Sequence, residues 1–343
     1  MKDSRKIYII PFDWPNFVGN HTAMGSYLAN KLKSDIKGVE VIPMYGPKNK
    51  VLKALNLFKA LYIALSLRIK MKSDDKVFLM EFLGKSSFHT LILKALRFLG
   101  SKNEVYGMVH LSGAHLLELN SKETLQHNLK GLNHIVVLGS SLAEFFQNEL
   151  SFKDVITLFH YVDSDYYQPG KDAERNVEGK LKVLVVGNTK RNFNVLRIII
   201  ENLPNVEFHI CQGYHNYKPL FEGLNNITFY GYLEEKDLLA LMQKSDVSLS
   251  VMDDTIGSNV ITTSLSTGMI SVASDVGSIR DYLTEDESFL CKTEEDFVKA
   301  INYLDTNKTI LADLKKKSVK RGELFAYPNF AKVFANKFGL ELK

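Results

Sequence analysis

Residues 246–277 constrain the fold of this chain more than any other stretch. An apolar strand (Val247 to Val251) runs into an acidic, glycine-bearing loop (Asp253 to Gly257). A short helix (Asn259 to Thr267), a glycine stop and a second apolar strand (Met269 to Ala273) follow. Strand, loop, helix and strand in that order form a crossover, the unit from which parallel sheets are built. Ligands of open parallel sheets sit beyond the carboxyl ends of the strands, beside helix N-termini. The Asp253–Ser258 loop is therefore placed to meet a ligand. The helix behind it offers free N–H groups and a positive dipole end to an anion, most simply a phosphate.

The same alternation extends along the chain, which reads as α/β with parallel sheets. In the first half, strands are expected at 6–11, 39–44, 76–82, 104–110, 134–138 and 154–159. Helices are expected at 21–33, 51–71, 88–99, 122–128 and 141–150. Tyr166 to Lys180 carries Pro, Gly and charges without periodicity and reads as a linker. Alternation restarts at Leu181, with helices at 192–202, 235–244, 293–303 and 310–325 and strands at 206–211 and 227–230. Pro328 is expected to break the chain before a last helix at 330–338. A chain of 343 residues suits two domains better than one. The reading places them at 1–165 and 181–328, with a C-terminal helix, 329–343, packing back on the first.

Composition fits that picture: 45% hydrophobic and 24% charged residues give a globular chain with material for two cores. A net charge of +4 carries no broad nucleic-acid signature. The cations are uneven, however. Lys48, Lys50, Lys53, Lys59, Arg68, Lys70 and Lys72 occupy residues 48–72 with no acid among them, and a second cluster lies at Lys315 to Arg321. No window reaches the ~18–20 uninterrupted apolar residues of a membrane span. The start passes directly into a strand without a small-residue cleavage site, so a cytoplasmic protein is expected. Cys211 and Cys291 read as buried free thiols, with a disulfide as the minor alternative.

Several groups carry chemistry. Gly187-Asn188-Thr189-Lys190-Arg191 closes an apolar strand and opens a helix, where Lys190 or Arg191 would meet a phosphate or else decorate a solvated turn. Ser258, Asn259 and Val260 start the helix of the crossover, as phosphate cradle or as plain N-cap. Asp253 and Asp254 are polar groups for the ligand this loop meets, or turn acids beside Gly257. His110 ends an apolar strand, a common place for a structural histidine, and His21 follows Gly19 and Asn20 in the first-strand loop. Asp163-Ser164-Asp165 has the spacing of a metal-binding pair but the setting of a turn. No His/Cys cluster has ligand spacing, so neither metal nor cofactor is expected.

Four phrases, in chain order, carry a family resemblance: FHYVDSDYYQP, VLVVGNTKRN, ITFYGYLEEKDLLALMQKSDVSLSV and SNVITTSLSTGMISVASDVGSIRDYL. In this order and spacing they resemble the donor-binding half of family 4 retaining glycosyltransferases. Asn259, Gly268, Asp275, Val276 and Gly277 fall in register, while both family glutamates are replaced. Asp254 or Thr255 stands near the first and Thr263 at the second.

The resemblance implies the GT-B fold, two Rossmann-like domains with parallel sheets facing across a cleft. It implies an enzyme that moves a sugar from a nucleotide-sugar donor to a saccharide or lipid-linked acceptor, as in bacterial surface polysaccharide synthesis. Gly187, Asn188, Thr189, Lys190, Arg191, Gly257, Ser258, Asn259, Val260 and Thr263 would then bind the donor, and Gly19, Asn20 and His21 the acceptor. His110, Asp254, Lys190 and Arg191 would take catalytic places. Two rival readings are a nucleotide-sugar 2-epimerase on the same fold and a non-catalytic, degenerate GT-B subunit. The cationic helix within 48–72 reads as a buried helix of the first domain or as a seat on the inner face of an anionic membrane.

Overall fold

Two six-stranded parallel sheets organise the computed structural model of the chain, which describes residues 5–13, 21, 25–45, 50–84, 88–171 and 179–343. The chain divides into two units, Met1–Phe159 with Phe330–Lys343, and His160–Asn329.

The strands of the first unit are β1 (Ile7–Ile10), β2 (Phe12–Asp13), β3 (Val39–Val41), β4 (Met44–Tyr45), β5 (Lys76–Leu79), β6 (Glu104–Met108), β7 (His134–Val137) and β8 (Val155–Thr157). The main sheet runs β3-β1-β5-β6-β7-β8, and β2 pairs with β4 beside it. Strands such as Ile7–Ile10 are buried along their whole length, as expected of a parallel sheet covered on both faces. The helix Tyr327–Phe338 covers part of this sheet: Phe334 and Phe338 stand 5.6 and 5.3 Å from the ring of Phe78, and Phe338 4.9 Å from Tyr106. Pro328 lies inside the first turn of that helix, contrary to the expected break before it. A first-turn residue has no intrahelical acceptor for its N–H, so proline there removes no bond.

Two further differences in this unit have local causes. A seven-residue helix, Gly113–Leu119, follows His110, its N-terminus closed by the Ser112 hydroxyl accepting from the His115 N–H. The expected helix at 141–150 is α-helical only over Ser140–Glu144 and widens to a π turn at Phe145–Glu149, where Phe146 is fully buried.

The second unit contributes β9 (Lys182–Val186), β10 (Glu207–Cys211), β11 (Ile227–Tyr230), β12 (Val247–Ser250), β13 (Ile270–Ser274) and β14 (Ser288–Cys291). Their order is β11-β10-β9-β12-β13-β14, all parallel. Side chains alternate between two cores: Val183, Val185 and Leu249 join Ile199, Ile210 and Ile301 on one face. Leu184 and Ala273 join Ile261, Leu265 and Tyr282 on the other. The sequence reading lacked β14 and the one-turn helix Ile279–Tyr282, each only four residues long.

His160–Lys171 packs into this second unit. Val162 bridges Ala326, its N–H donating to the Phe325 carbonyl at 2.8 Å. The buried Tyr167 donates its hydroxyl to Glu235 at 3.0 Å, so the aperiodic stretch is anchored at its start. Asp163-Ser164-Asp165 forms a turn, with the Asp163 carbonyl accepting from the Tyr166 and Tyr167 N–H groups. Cys211 and Cys291 are free thiols, and burial pushes each up to about 12. They lie on β10 and β14, four strand spacings or roughly 19 Å apart, well beyond disulfide reach.

Candidate active site

Strand order in the second sheet reverses between β9 and β12, whose following loops leave the carboxyl edge beside each other. Such a switch point opens the crevice in which open α/β sheets bind ligands. Here the two loops are stapled by backbone. Arg191 and Met252 form an antiparallel bridge, the Asn192 N–H donates to the Val251 carbonyl, and the Asp253 N–H donates to the Lys190 carbonyl, both at 3.0 Å. Lys190 holds a left-handed φ of 53°, which these flanking bonds keep in place. Asn192 adds a side-chain staple, donating to Asp253 Oδ1 at 2.9 Å while its own Oδ1 caps the helix Phe193–Glu201.

Arg191 lies along this seam. A methyl on Gly187 would meet its Nη2 and Nε at 3.3 and 3.4 Å, and Val260 Cγ2 at 3.7 Å. The guanidinium thus runs over the bare glycine backbone toward the start of the Asn259–Ser266 helix. Burial pushes its pKa down to about 10, still charged at neutral pH. Among the described residues no carboxylate pairs with it, and its buried Nε has no hydrogen-bond partner in the protein. Asn188 Oδ1 and Asn259 Oδ1 are also buried and unpartnered. Leaving a buried polar atom unmatched costs about 1–3 kcal/mol, more when the group is charged. One cationic donor and two amide acceptors held in this way match an anion that carries hydroxyl groups.

The helix that faces them begins as expected. Ser258 is its N-cap, the hydroxyl accepting from the Ile261 N–H at 3.4 Å, which leaves the N–H groups of Asn259 and Val260 without helical acceptors. Thr263, where the family glutamate is replaced, is buried and donates its hydroxyl to the Asn259 carbonyl at 2.7 Å. Its oxygen retains only acceptor capacity.

Behind the loop, Gly257 has φ +96°, and a Cβ there would come within 2.3 Å of the Tyr282 ring. Tyr282 in turn accepts from the His160 N–H at 2.9 Å. The loop also seats on Gly277, where a Cβ would lie 2.1 Å from the Thr255 carbonyl oxygen and 2.7 Å from Asp254 Oδ1. Asp254 is therefore packed on the Asp275–Gly277 turn, whereas Asp253 is exposed. Asp275 is committed elsewhere: Arg280 forks onto both its oxygens at 2.8 and 2.9 Å and holds its carboxyl below the usual range.

Beyond the carboxyl end of β10, Gly213 stands next to Asn188, whose Nδ2 would lie 3.5 Å from an added Cβ. The adjoining Tyr214 stacks on Tyr232 at 4.9 Å. The sequence reading missed this aromatic pair and Asn192; an asparagine directly before an apolar helical run is a cap signal that could have found the latter.

The remaining expected site residues belong to the first unit. His110 follows β6 and its Nε2 lies 2.6 Å from the Met80 carbonyl. A carbonyl only accepts, so Nε2 carries the proton, and since burial lowers the pKa the ring is neutral with Nδ1 as an acceptor. The His21 ring lies 4.9 Å from that of Tyr27, tilted to it by 57°. Gly19 and Asn20 lie outside the described residues. Among the described residues no three His, Cys, Asp or Glu side chains are grouped to hold a metal ion.

Comparison with known proteins bears on both units. The sequence model of the family Glycosyl transferases group 1 matches residues 179–307. No curated protein sequence matches the chain. Sucrose-phosphate synthase from Thermosynechococcus elongatus superposes with a TM-score of 0.75 at 14% identity, over 98% of each chain. Anabaena HepE in complex with UDP gives 0.70 at 13%, over 97% of this chain and 99% of that one. The lipopolysaccharide outer core galactosyltransferase WaaB gives 0.65 at 14%, over 96% and 98%. Residues 179–307 thus match the Glycosyl transferases group 1 family, and the chain as a whole has the GT-B fold of the glycosyltransferases it superposes on.

Proposed function

We propose that the protein transfers a sugar, with retention of anomeric configuration, from a nucleoside diphosphate sugar to a saccharide or lipid-linked acceptor. The observation that carries this reading is the half-buried, unpaired guanidinium of Arg191, its Nε fully buried, beside Gly187 at the switch point of the second sheet. A diphosphate supplies the missing counter-charge, and the N–H groups of Asn259 and Val260 with the dipole of their helix share it. Asn188 Oδ1 and Asn259 Oδ1 accept from hydroxyls of the ribose or the sugar, and the Thr263 hydroxyl, its proton already given to the Asn259 carbonyl, can only accept as well. Asp254 lies in the loop that leads into this helix, and Lys190 adds a second cation on the turn that carries Arg191. The complex of HepE with UDP favours a diphosphate donor of this kind.

In the transfer, the acceptor oxygen bonds to the anomeric carbon on the face from which the nucleotide leaves. The bond from that carbon to the phosphate oxygen breaks, its electron pair stays on the oxygen, and the acceptor proton passes to it. Arg191 and Lys190 stabilise the charge that builds there, which is worth most in a dry site with preset donors. His110, neutral with Nδ1 free to accept, is suited to hold a sugar hydroxyl. WaaB, a lipopolysaccharide galactosyltransferase, favours an acceptor of the bacterial surface, met at the inner membrane face. The deciding experiment incubates the protein with a panel of nucleoside diphosphate sugars and a lipid-linked saccharide extract. Nucleoside diphosphate release that needs acceptor, with an α-linked product from an α-linked donor, is the expected result. Release of free nucleotide without acceptor, together with an epimerised sugar, would overturn it.

A further inference from the structure

The Lys50–Lys70 helix turns an apolar face to solvent. Val51, Leu55, Phe58, Tyr62, Leu65 and Ile69 follow one another at steps of four and three, which at 100° per residue places them in one stripe. Asn56, Ala60, Ile63, Ala64 and Leu67, on the opposite side, are the residues buried against the sheet unit and the Phe88–Phe98 helix. Phe58, Tyr62 and Ile69 are 72%, 70% and 75% exposed. Of the two sequence readings, a buried helix holds for one side of it only. By the same angular count, Lys50 and Arg68 border the stripe on one flank and Lys59 and Lys70 on the other.

The neighbouring helix extends the pattern. Phe88–Phe98 holds Lys94 and Arg97 and no acid, and ends in Phe98, 91% exposed. Arg68 donates to the Leu99 carbonyl at 3.0 Å, so Phe98 adjoins the C-terminal end of the stripe. The acids nearest in sequence, Asp74 and Asp75, follow the helix, and Asp75 is committed to the backbone N–H groups of Lys6 and Lys72.

We infer that this face docks on an anionic phospholipid bilayer, with the stripe lying among the acyl boundary atoms and the flanking cations at the phosphates. Charge selects this occupant over a second copy of the chain. An antiparallel pair of these helices would set Lys50 against Arg68 and Lys70, and a parallel pair would set each cation against itself, with no acid to relieve either. The helix lies on the surface, since no helix among the described residues is long and apolar enough to cross a membrane. The inference deepens the lipid-linked acceptor reading and rests on it for purpose, not for geometry.

The test is flotation with phosphatidylcholine vesicles, with and without phosphatidylglycerol. The full chain is compared with F58S/Y62S/I69S and with K50E/K70E, which reverses one flanking cation on each side of the stripe. Wild type should float with the anionic vesicles, less so as salt rises, and each variant should bind on the order of tenfold more weakly. All three proteins should keep the same nucleotide-induced thermal shift, which reports an intact fold. Absence of flotation, or binding that neither variant weakens, overturns the inference. So does a concentration-dependent dimer that F58S/Y62S/I69S dissolves. If wild type floats but no nucleotide shifts its melting, the donor-site reading fails and the docking face stands.

Discussion

Arg191 and Met252 are joined by an antiparallel bridge that ties the loop after β9 to the loop after β12. The tie fixes the backbone of Arg191 at the switch point while its side chain runs over Gly187. A cation held in this way without a counter-ion lowers the stability of the free protein and serves the bound state. Arg191→Ala should therefore leave the melting temperature of the free protein unchanged or raised. The same substitution should weaken nucleoside diphosphate binding by roughly tenfold to a hundredfold, the worth of a hydrogen bond to a charged group. Paired thermal scans and titration calorimetry separate the two effects.

Gly257 offers a contrasting case, because its constraint is steric. A Cβ at this position would sit 2.3 Å from the Tyr282 ring, on a backbone with φ +96°. Gly257→Ala should cost about 2–4 kcal/mol by urea unfolding, combining overpacking with left-handed strain. Gly100→Ala is the control: φ is +74° but nothing lies within 4 Å. There the cost should stay near ~1 kcal/mol.

A buried ion pair sets a third expectation. Lys315 Nζ meets Asp246 Oδ1 at 2.7 Å, while Asp246 Oδ2 accepts from the Lys182 N–H at 3.0 Å. Asp246→Ala strands the lysine and an N–H together and should cost about 3–5 kcal/mol. Lys315→Met leaves the carboxylate one backbone partner and should cost less. Equal losses in the two variants by chemical denaturation would contradict this account.

His89 makes the first unit sensitive to acid. It is fully buried, accepts from the Glu81 N–H at Nδ1, and desolvation pushes its pKa from 6.5 down to about 4. The unfolded chain binds the proton more readily, so this stability is complete above pH 6.5 and is lost as pH falls toward 4. Between pH 6.5 and 5 the loss should be on the order of 2 kcal/mol at 1.36 kcal/mol per pH unit. His89→Gln should flatten the profile of unfolding free energy over that window, and a slope equal to wild type would contradict the assignment.

Much of this was legible from residue order. The strand–loop–helix–strand unit, the N-cap at Ser258 and the turn at Asp163–Asp165 follow from local pattern and turn chemistry. Features that depend on contacts remote in sequence were not. Nothing local announces that Arg191 bridges Met252, that Tyr282 covers Gly257, or that the Thr263 hydroxyl folds back on its own helix. Pro328 misled because the same residue ends one helix and starts another, and only packing of Phe334 and Phe338 on Phe78 decides between them. The Lys50–Lys70 helix misled differently: its apolar residues encircle it, and only burial separates the face that packs from the face that does not.

The most direct measurement is thermal shift across UDP, GDP, ADP, dTDP and CMP with wild type and Arg191→Ala. At about 100 times its dissociation constant a ligand stabilises the fold by about 2.7 kcal/mol, a readable shift. The account predicts that one nucleoside diphosphate stands out with wild type and that its shift is lost in the variant. Silence across the panel, or a shift that Arg191→Ala leaves intact, would contradict a donor phosphate held at Gly187 and Arg191.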